Sequence, residues 1–131
     1  MATRRRLAVL RTSPTHKTEG GNRTRGILVA GYPKQPLVSV ITVVHNGGEH
    51  LAKTIRAVTE QTYRNVEHIV VDGASTDGTV DIIRANDSSL GYWMSEPDQG
   101  IYAAMNTGIA LVTDPESNIL FANSDQEPHS P

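Results

Sequence analysis

Side chains that can bind ligands follow four short apolar segments of the chain. His45 and Asn46 follow the first segment, Asp72 the second, Asp98 the third and Asp125 the fourth. If the segments are parallel strands of one sheet, their carboxyl ends meet at the edge where open α/β sheets bind ligands. Hard divalent cations need oxygen ligands, and Mg²⁺ typically takes one or two carboxylates together with substrate phosphates. The pattern therefore indicates a cleft for a nucleoside diphosphate whose charge a metal ion neutralises.

A further carboxylate, Asp77, follows Asp72 closely in the chain. It stands just before Thr79 and Val80, which open a predicted helix, and aspartate is a preferred residue at a helix N-cap. We therefore assign Asp77 to the start of that helix rather than to the cleft.

The elements that would position these residues alternate between strands and helices. The predicted strands are Val38–Val44, Val66–Val71, Leu90–Ser95 and Asn118–Ala122. They are rich in apolar and β-branched residues, which is typical of strands buried on both faces. Apolar residues at helical spacing predict a helix after each of the first three strands. The alternation predicts an α/β fold of about four mainly parallel strands, with helices on both faces and right-handed crossovers.

The charges of the chain are divided unevenly along its length. Residues 1–35 carry eight of the twelve Lys and Arg residues and one acid, so the remainder has four bases against thirteen acids. An acidic body with a basic leader is not a nucleic-acid-binding surface, so no nucleic-acid partner is expected. We expect a disordered leader over residues 1–35, with weak contact to an anionic membrane surface as the alternative. The predicted domain covers residues 36–125, and residues 126–131 form an unstructured tail.

The chain contains no cysteine, which excludes disulfides and thiolate metal sites. A reducing compartment is compatible with this composition. We therefore expect the protein in the cytoplasm, where the basic leader would bring it to the inner face of the membrane.

Four blocks of the sequence resemble the inverting, GT-A-fold glycosyltransferases of family 2. The blocks are VSVITVVHNGGEHLAKTI, QTYRNVEHIVVDGASTDGTVDII, SEPDQGIYAAMNTGI and ILFANSD, in this order and at matching spacing. The resemblance implies a Rossmann-like GT-A nucleotide-binding half. It also implies transfer of a sugar from a nucleotide-sugar donor, expected to be UDP-linked, during polysaccharide or glycolipid synthesis. The acceptor would be a sugar, a lipid or a polysaccharide.

The same resemblance implies roles for individual residues. His45, Asn46 and Asp72 would hold the nucleoside of the donor, with Asp72 bonding to the base or the ribose. Asp98 would lie beside the ribose and the sugar. Asp125 matches the metal-binding aspartate of the family's D-x-D motif.

Three positions depart from the family pattern. Asn123 stands where many members have the first aspartate of D-x-D, Gln126 stands where another aspartate commonly follows, and Ala103 replaces an aspartate of the related pattern GIYDAMN. Asn123 can still bind Mg²⁺ or Mn²⁺ through its carbonyl oxygen, but it brings no charge. We therefore expect weaker metal binding than a pair of aspartates would give.

A general base is missing from the residues that the resemblance assigns. An inverting transfer needs a carboxylate to take the proton of the acceptor hydroxyl, and in this family that residue follows the D-x-D strand. After Asp125 the chain offers only Glu127, between prolines and polar residues. The sequence thus predicts the donor-binding half of an enzyme, truncated before the acceptor-binding half.

Two alternatives belong to other classes of protein. The first is a nucleotide-binding module without chemistry, which acts alone or with a partner chain. The second is an acyl-phosphate enzyme, which Asp72-Gly73 after a strand would suit, but that chemistry usually needs a nearby lysine and Lys53 lies in the middle of a predicted helix. A P-loop and the G-x-G-x-x-G spacing of dinucleotide folds are both absent from the sequence.

Overall fold

A five-stranded sheet forms the centre of the computed structural model, which describes residues 18–29, 35–97, 100–114 and 116–122. The strands are β1 (Thr18–Gly20), β2 (Val38–Val44), β3 (Val66–Asp72), β4 (Tyr92–Ser95) and β5 (Asn118–Phe121). The helices among these residues are α1 (Gly48–Thr59), α2 (Thr79–Ala85) and α3 (Ile101–Ala110). Each of the four predicted strands begins and ends within two residues of its prediction, so the predicted α/β fold is confirmed.

The order of the strands across the sheet is β1-β4-β3-β2-β5. Strands β2 to β5 are parallel to one another, whereas β1 is antiparallel to β4. The chain builds outward from β2 through β3 to β4, and then returns to add β5 on the other side of β2. The strand order therefore reverses at β2, and the crevice outside the carboxyl ends at such a reversal is the usual ligand site of an open α/β sheet.

Helices pack on both faces of the sheet because its central strands are apolar on both sides. Leu51 and Ile55 of α1, with Ile83 of α2, pack against one face. Ala104 of α3 packs against the other. Gly108 lets α3 approach closely, since a Cβ atom there would lie 2.4 Å from Cγ2 of Ile41. Two hydrophobic layers thus hold β2 and β3 in fixed positions.

The prediction of a buried strand is wrong for β5. All four of its residues are exposed, and Leu120 retains 57 % of its accessible surface. β5 pairs with β2 along one side, and none of the described residues pairs along its other side. An apolar sequence therefore predicted the strand correctly but not its burial, because burial depends on what lies beyond the sheet edge.

The prediction of a disordered leader is wrong for residues 18–29. Thr18–Gly20 extends the sheet as β1, and a 3-10 helix follows at Asn22–Arg25. A strand of three residues is too short to show an alternation of apolar and polar residues. Its pairing partners lie far along the chain, in β4, so there was no local signal of it in the sequence. Residues 1–17 and 30–34 lie outside the described residues, so membrane contact by the leader stays a prediction. The described part of the chain contains no helix with the length and apolarity that crossing a membrane requires.

A buried ion pair attaches this N-terminal segment to the sheet. Arg23 is 1 % exposed, and its Nε and Nη2 atoms each donate to the Glu67 carboxylate at 3.2 Å. The guanidinium also lies 5.4 Å from the centre of the Tyr92 ring. Gly91 leaves the space for this arrangement, because a Cβ atom there would lie 2.3 Å from Cγ of Glu67. Both charges of the pair are taken from water, so each depends strongly on the other.

Replacing Arg23 by alanine should therefore destabilise the protein strongly. The substitution leaves the Glu67 carboxylate buried without its cation, at a cost of about 3–5 kcal/mol in the free energy of unfolding. Urea denaturation measures the change. Arg25→Ala is the matched control, because Arg25 pairs with Asp87 at the surface and its loss should cost less than about 1 kcal/mol. Equal stabilities of the two variants would contradict a structural role for the buried pair.

Candidate functional site

The carboxyl ends of three parallel strands lie side by side at one edge of the sheet. Val44 at the end of β2 pairs with Asp72 at the end of β3, and Asp72 pairs with Ser95 at the end of β4. The backbone continues this pairing beyond the strands, since Gly73 N donates to Val44 O at 3.0 Å and Glu96 N donates to Asp72 O at 3.1 Å. The last residues of β2, β3 and β4 therefore lie next to one another, as the sequence pattern predicted.

Asp72 is fully buried at this edge, and its carboxylate accepts three hydrogen bonds. Oδ1 accepts from the Ser75 hydroxyl at 2.5 Å. Oδ2 accepts from Ser75 N at 2.9 Å and from the Ser95 hydroxyl at 2.7 Å. A buried carboxylate is costly unless its oxygens are hydrogen-bonded, so these donors explain how Asp72 is tolerated at 0 % exposure.

His45 and Asn46 form the turn after β2 and bond to the segment that follows Asp72. His45 Nδ1 donates to Gly73 O at 2.9 Å, which leaves Nε2 as the acceptor, 3.3 Å from Asn46 Nδ2. Asn46 N donates to the Ser75 hydroxyl at 2.7 Å, and Asn46 Oδ1 accepts from Thr76 N at 2.8 Å. The two turns are thus linked by both backbone and side-chain atoms.

Two residues of these turns have left-handed backbone conformations without being glycine. Asn46 has φ 53° and Ala74 has φ 58°. Asparagine adopts this conformation fairly readily, whereas alanine does so at a cost on the order of 1 kcal/mol. The hydrogen bonds between the turns maintain both conformations, which shape the wall of the site.

A cleft of about 390 Å³ opens beside these turns. Its wall includes His45, Gly73, Ala74, Pro97 and Ile101. The cleft lies between the carboxyl ends of β2 and β3 and the start of α3. Its lining combines backbone and imidazole polar atoms with apolar surface, a combination typical of sites for small organic ligands.

Asp77 bonds to the start of α2, as the sequence predicted. Its Oδ1 accepts from Thr79 N at 3.0 Å and from the Thr79 hydroxyl. The hydrogen bond from that hydroxyl holds the pKa of Asp77 below its ordinary value. The N-cap position itself is Gly78, one residue later, so Asp77 stabilises the first turn from just outside the helix.

Three of the predicted site residues, Asp98, Asn123 and Asp125, lie outside the described residues, as does Glu127. Strand β5 runs parallel to β2, and Ala122 N donates to Ile41 O at 3.0 Å as the chain continues past the strand. Within the described ranges, no group of three or more His, Asp or Glu side chains is placed to hold a metal ion. The structure thus brings together His45, Asn46 and Asp72, and leaves the metal-ligand assignment a prediction.

Sequence reasoning missed Ser75 and Ser95, the two residues that hold the Asp72 carboxylate. Ser75 carried a local signal, because an aspartate often accepts hydrogen bonds from backbone groups a few residues later in a turn. Ser95 carried none, because its contact depends on the register between β3 and β4.

A larger cavity of about 670 Å³ lies at the opposite edge, where α1 ends and β3 begins. It is lined by Val58–Arg64, Val66, His68 and Ser89. Parallel strands begin at this edge, so it is not the edge at which open α/β sheets bind ligands. The chemistry of the strand ends therefore favours the smaller cleft despite its size.

The sequence of this chain matches a known family. Residues 39–130 match the family described as Glycosyl transferase family 2. The chain belongs to glycosyltransferase family 2. The match includes β2 from its second residue, all of β3 to β5 and every residue of the candidate site, whereas β1 and Arg23 precede it.

Several curated relatives share sequence with this chain. An uncharacterised glycosyltransferase of Mycobacterium tuberculosis, Rv1514c, is 47 % identical over 76 residues, covering 57 % of this chain and 29 % of the relative. The glycosyltransferase AglE of Haloferax volcanii is 39 % identical over 99 residues, covering 72 % of this chain and 32 % of AglE. This chain therefore spans about a third or less of the length of these relatives.

A solved structure shares the fold. S. aureus TarS 1–349 in complex with UDP-GlcNAc matches with a TM-score of 0.58 at 23 % identity, covering 68 % of this chain and 26 % of that one. At this identity the likeness concerns the fold, and it confirms the predicted GT-A architecture.

His68, which lines the larger cavity, is a buried histidine, and we expect it to make the stability of the fold sensitive to acid. Its Nε2 lies 2.7 Å from Thr42 Oγ1, and Nδ1 has no hydrogen-bond partner among the described residues. Burial lowers the pKa of His68 from 6.5 to about 4, so the folded protein holds this ring neutral at pH 7.

We expect the free energy of unfolding to fall as the pH drops from 6.5 to 4. The unfolded chain takes up a proton at His68 across this window, whereas the folded protein does not, and the loss from this group is on the order of 3 kcal/mol. Urea denaturation of the wild type and His68→Gln between pH 7 and pH 4 measures it, and the variant should lose less stability. His50→Gln, on the exposed surface of α1, controls for the loss of a histidine. Identical pH dependence in wild type and His68→Gln would show that this imidazole is not the source.

Proposed function

We propose that this chain binds the nucleotide of a nucleotide-sugar donor, as the donor-binding part of a family 2 glycosyltransferase. The observation that carries the proposal is the meeting of the His45–Asn46 turn with Asp72 and the adjacent cleft at the reversal of strand order. Membership of the family supports the reaction class, and UDP is the nucleotide we favour. The complex of TarS with UDP-GlcNAc is consistent with this choice.

The nucleoside would lie against the wall formed by His45, Gly73 and Ala74. An ionised carboxylate offers about four acceptor positions. Asp72 uses three of them internally, which leaves one for an N–H of the base or a ribose hydroxyl. Asp72 is buried and does not itself line the cleft, so its main effect on the donor would pass through the turn that it holds in place.

Asp125 and Asn123 would hold a divalent metal ion near the diphosphate. Both offer the oxygen atoms that Mg²⁺ and Mn²⁺ prefer, and they follow β5, which runs toward the same edge as β2 and β3. The ion, when bound, neutralises the charge that develops on the leaving diphosphate. Asp98 would lie beside the ribose and the transferred sugar.

In the complete reaction, a carboxylate takes the proton of the acceptor hydroxyl. At the same time, the oxygen of that hydroxyl attacks the anomeric carbon of the donor sugar. The sugar–phosphate bond breaks on the opposite side, so the configuration inverts. The acceptor would be a sugar, a lipid or a polysaccharide. None of the described residues that line the cleft is a carboxylate that could act as this base.

This last observation favours a second candidate function, in which the chain binds a nucleotide without performing chemistry. In that case the donor site would be retained, while catalysis would depend on a partner chain or would not occur. Nucleotide binding and sugar transfer can be measured separately, and together they distinguish the two functions.

UDP binding should depend on a divalent metal and on Asp125. Isothermal titration calorimetry with UDP, in the presence and absence of Mg²⁺ or Mn²⁺, measures the affinity. Asp125→Ala should weaken binding in the presence of metal by about tenfold or more, because it removes a carboxylate that contacts the ion directly. Asp114→Ala is the matched control, since Asp114 lies before β5, at the opposite edge of the sheet. Unchanged affinity of Asp125→Ala would refute the metal assignment.

Residues 1–131 alone should not transfer sugar to an acceptor at a useful rate. The family resemblance assigns no residue of this chain as the general base, which is typically worth about 10²–10⁴-fold, and it assigns none to acceptor positioning, which adds to this factor. Incubating the purified chain with a panel of sugar nucleotides and acceptors separates slow donor hydrolysis from transfer. Rapid transfer that depends on the acceptor would contradict this expectation. Its loss in Glu127→Gln would then identify Glu127 as the base.

A further inference from the structure

We infer that Ser75 is a positioning residue for the donor site, where its hydroxyl holds the turn after β2 and the Asp72 carboxylate in one arrangement. The inference rests on the proposed function, because it concerns the same cleft. Ser75 was not among the residues that the family resemblance assigned.

One oxygen atom of Ser75 is bonded to both turns. It accepts a hydrogen bond from Asn46 N at 2.7 Å and donates one to Asp72 Oδ1 at 2.5 Å. A serine hydroxyl has one hydrogen and two lone pairs, so it makes both bonds at once. The residue therefore joins the ends of β2 and β3 through a single atom.

The surrounding contacts show what depends on this atom. Ala74, the neighbour of Ser75, has a strained backbone conformation with φ 58°, and Ala74 forms part of the cleft wall. Two other described links join these turns, from Thr76 N to Asn46 Oδ1 and from His45 Nδ1 to Gly73 O, and both need the same shape of the Gly73–Thr76 segment. Without the hydroxyl, Asn46 N and Asp72 Oδ1 both lose their described partner, and fewer hydrogen bonds restrain the wall.

Ser75 does not itself line the cleft. Any effect of its hydroxyl on a ligand must therefore act through Asn46, Asp72 and Ala74. A ligand that meets two turns already fixed in place does not have to order them, and this preorganisation raises its affinity. Removing the hydroxyl should accordingly reduce affinity even where the protein remains folded.

The test combines hydrogen exchange of the free protein with nucleotide binding. In the unliganded full chain, Ser75→Ala should accelerate amide exchange at Asn46 and Thr76 by about tenfold or more, with no change at Ile69 in the centre of β3. At a temperature where both proteins are folded, Ser75→Ala should bind UDP with Mg²⁺ about tenfold more weakly. Ser75→Thr, which keeps a hydroxyl, should restore most of the affinity. Ser88→Ala, at the opposite edge of the sheet, is the matched control and should change neither measurement.

The outcomes separate the inference from the function on which it rests. If the wild type binds UDP and Ser75→Ala binds it equally well, the positioning role is wrong and the proposed function stands. If exchange at Asn46 is unchanged in Ser75→Ala, the hydroxyl does not hold the turn, and the inference is wrong whatever the affinity. If the wild type does not bind UDP, the proposed function fails, and the positioning role for a donor fails with it.

Discussion

The buried carboxylate of Asp72 is the constraint around which the candidate site is arranged. A charge at 0 % exposure is tolerated when hydrogen bonds replace its hydration, and here the donors come from two different parts of the chain. Ser75 belongs to the turn that follows Asp72, whereas Ser95 ends the neighbouring strand β4. Satisfying one carboxylate therefore fixes the relative positions of β3, β4 and the adjoining turn. The cleft beside them results from this arrangement.

The N-terminal segment adds a strand to the same sheet, next to β4. β1 pairs with β4 in a register that sets Thr18 opposite Ser95, so the strand that supplies a donor to Asp72 is itself flanked on both sides. The buried pair of Arg23 and Glu67 holds this segment in place. Because the family match begins at residue 39, this support comes from a part of the chain that precedes the matched region. The attachment depends on both residues, since removing either one would leave the charge of the other buried without a partner.

Sequence reasoning predicted the elements of the fold but not the contacts between distant segments. The strands β2 and β3 were predictable because continuous apolar and β-branched residues suit a sheet that is covered on both faces. The convergence of Asp72 with His45 and Asn46 followed from the parallel topology. Arg23 and Ser95 could not be predicted, because their partners are set by strand register and by the close approach that Gly91 permits. The burial of β5 was predicted wrongly, since an apolar strand does not reveal whether anything covers its outer side.

We propose that the carboxyl edge of the sheet binds a nucleotide. Titrating UDP and Mg²⁺ into the ¹⁵N-labelled chain, and following the amide resonances by NMR, tests this most directly. We expect saturable shifts at Asn46, Gly73 and Ala74, with little change at residues 59–64 around the larger cavity. Shifts concentrated at residues 59–64, or no saturable shifts at all, would contradict the assignment of the site.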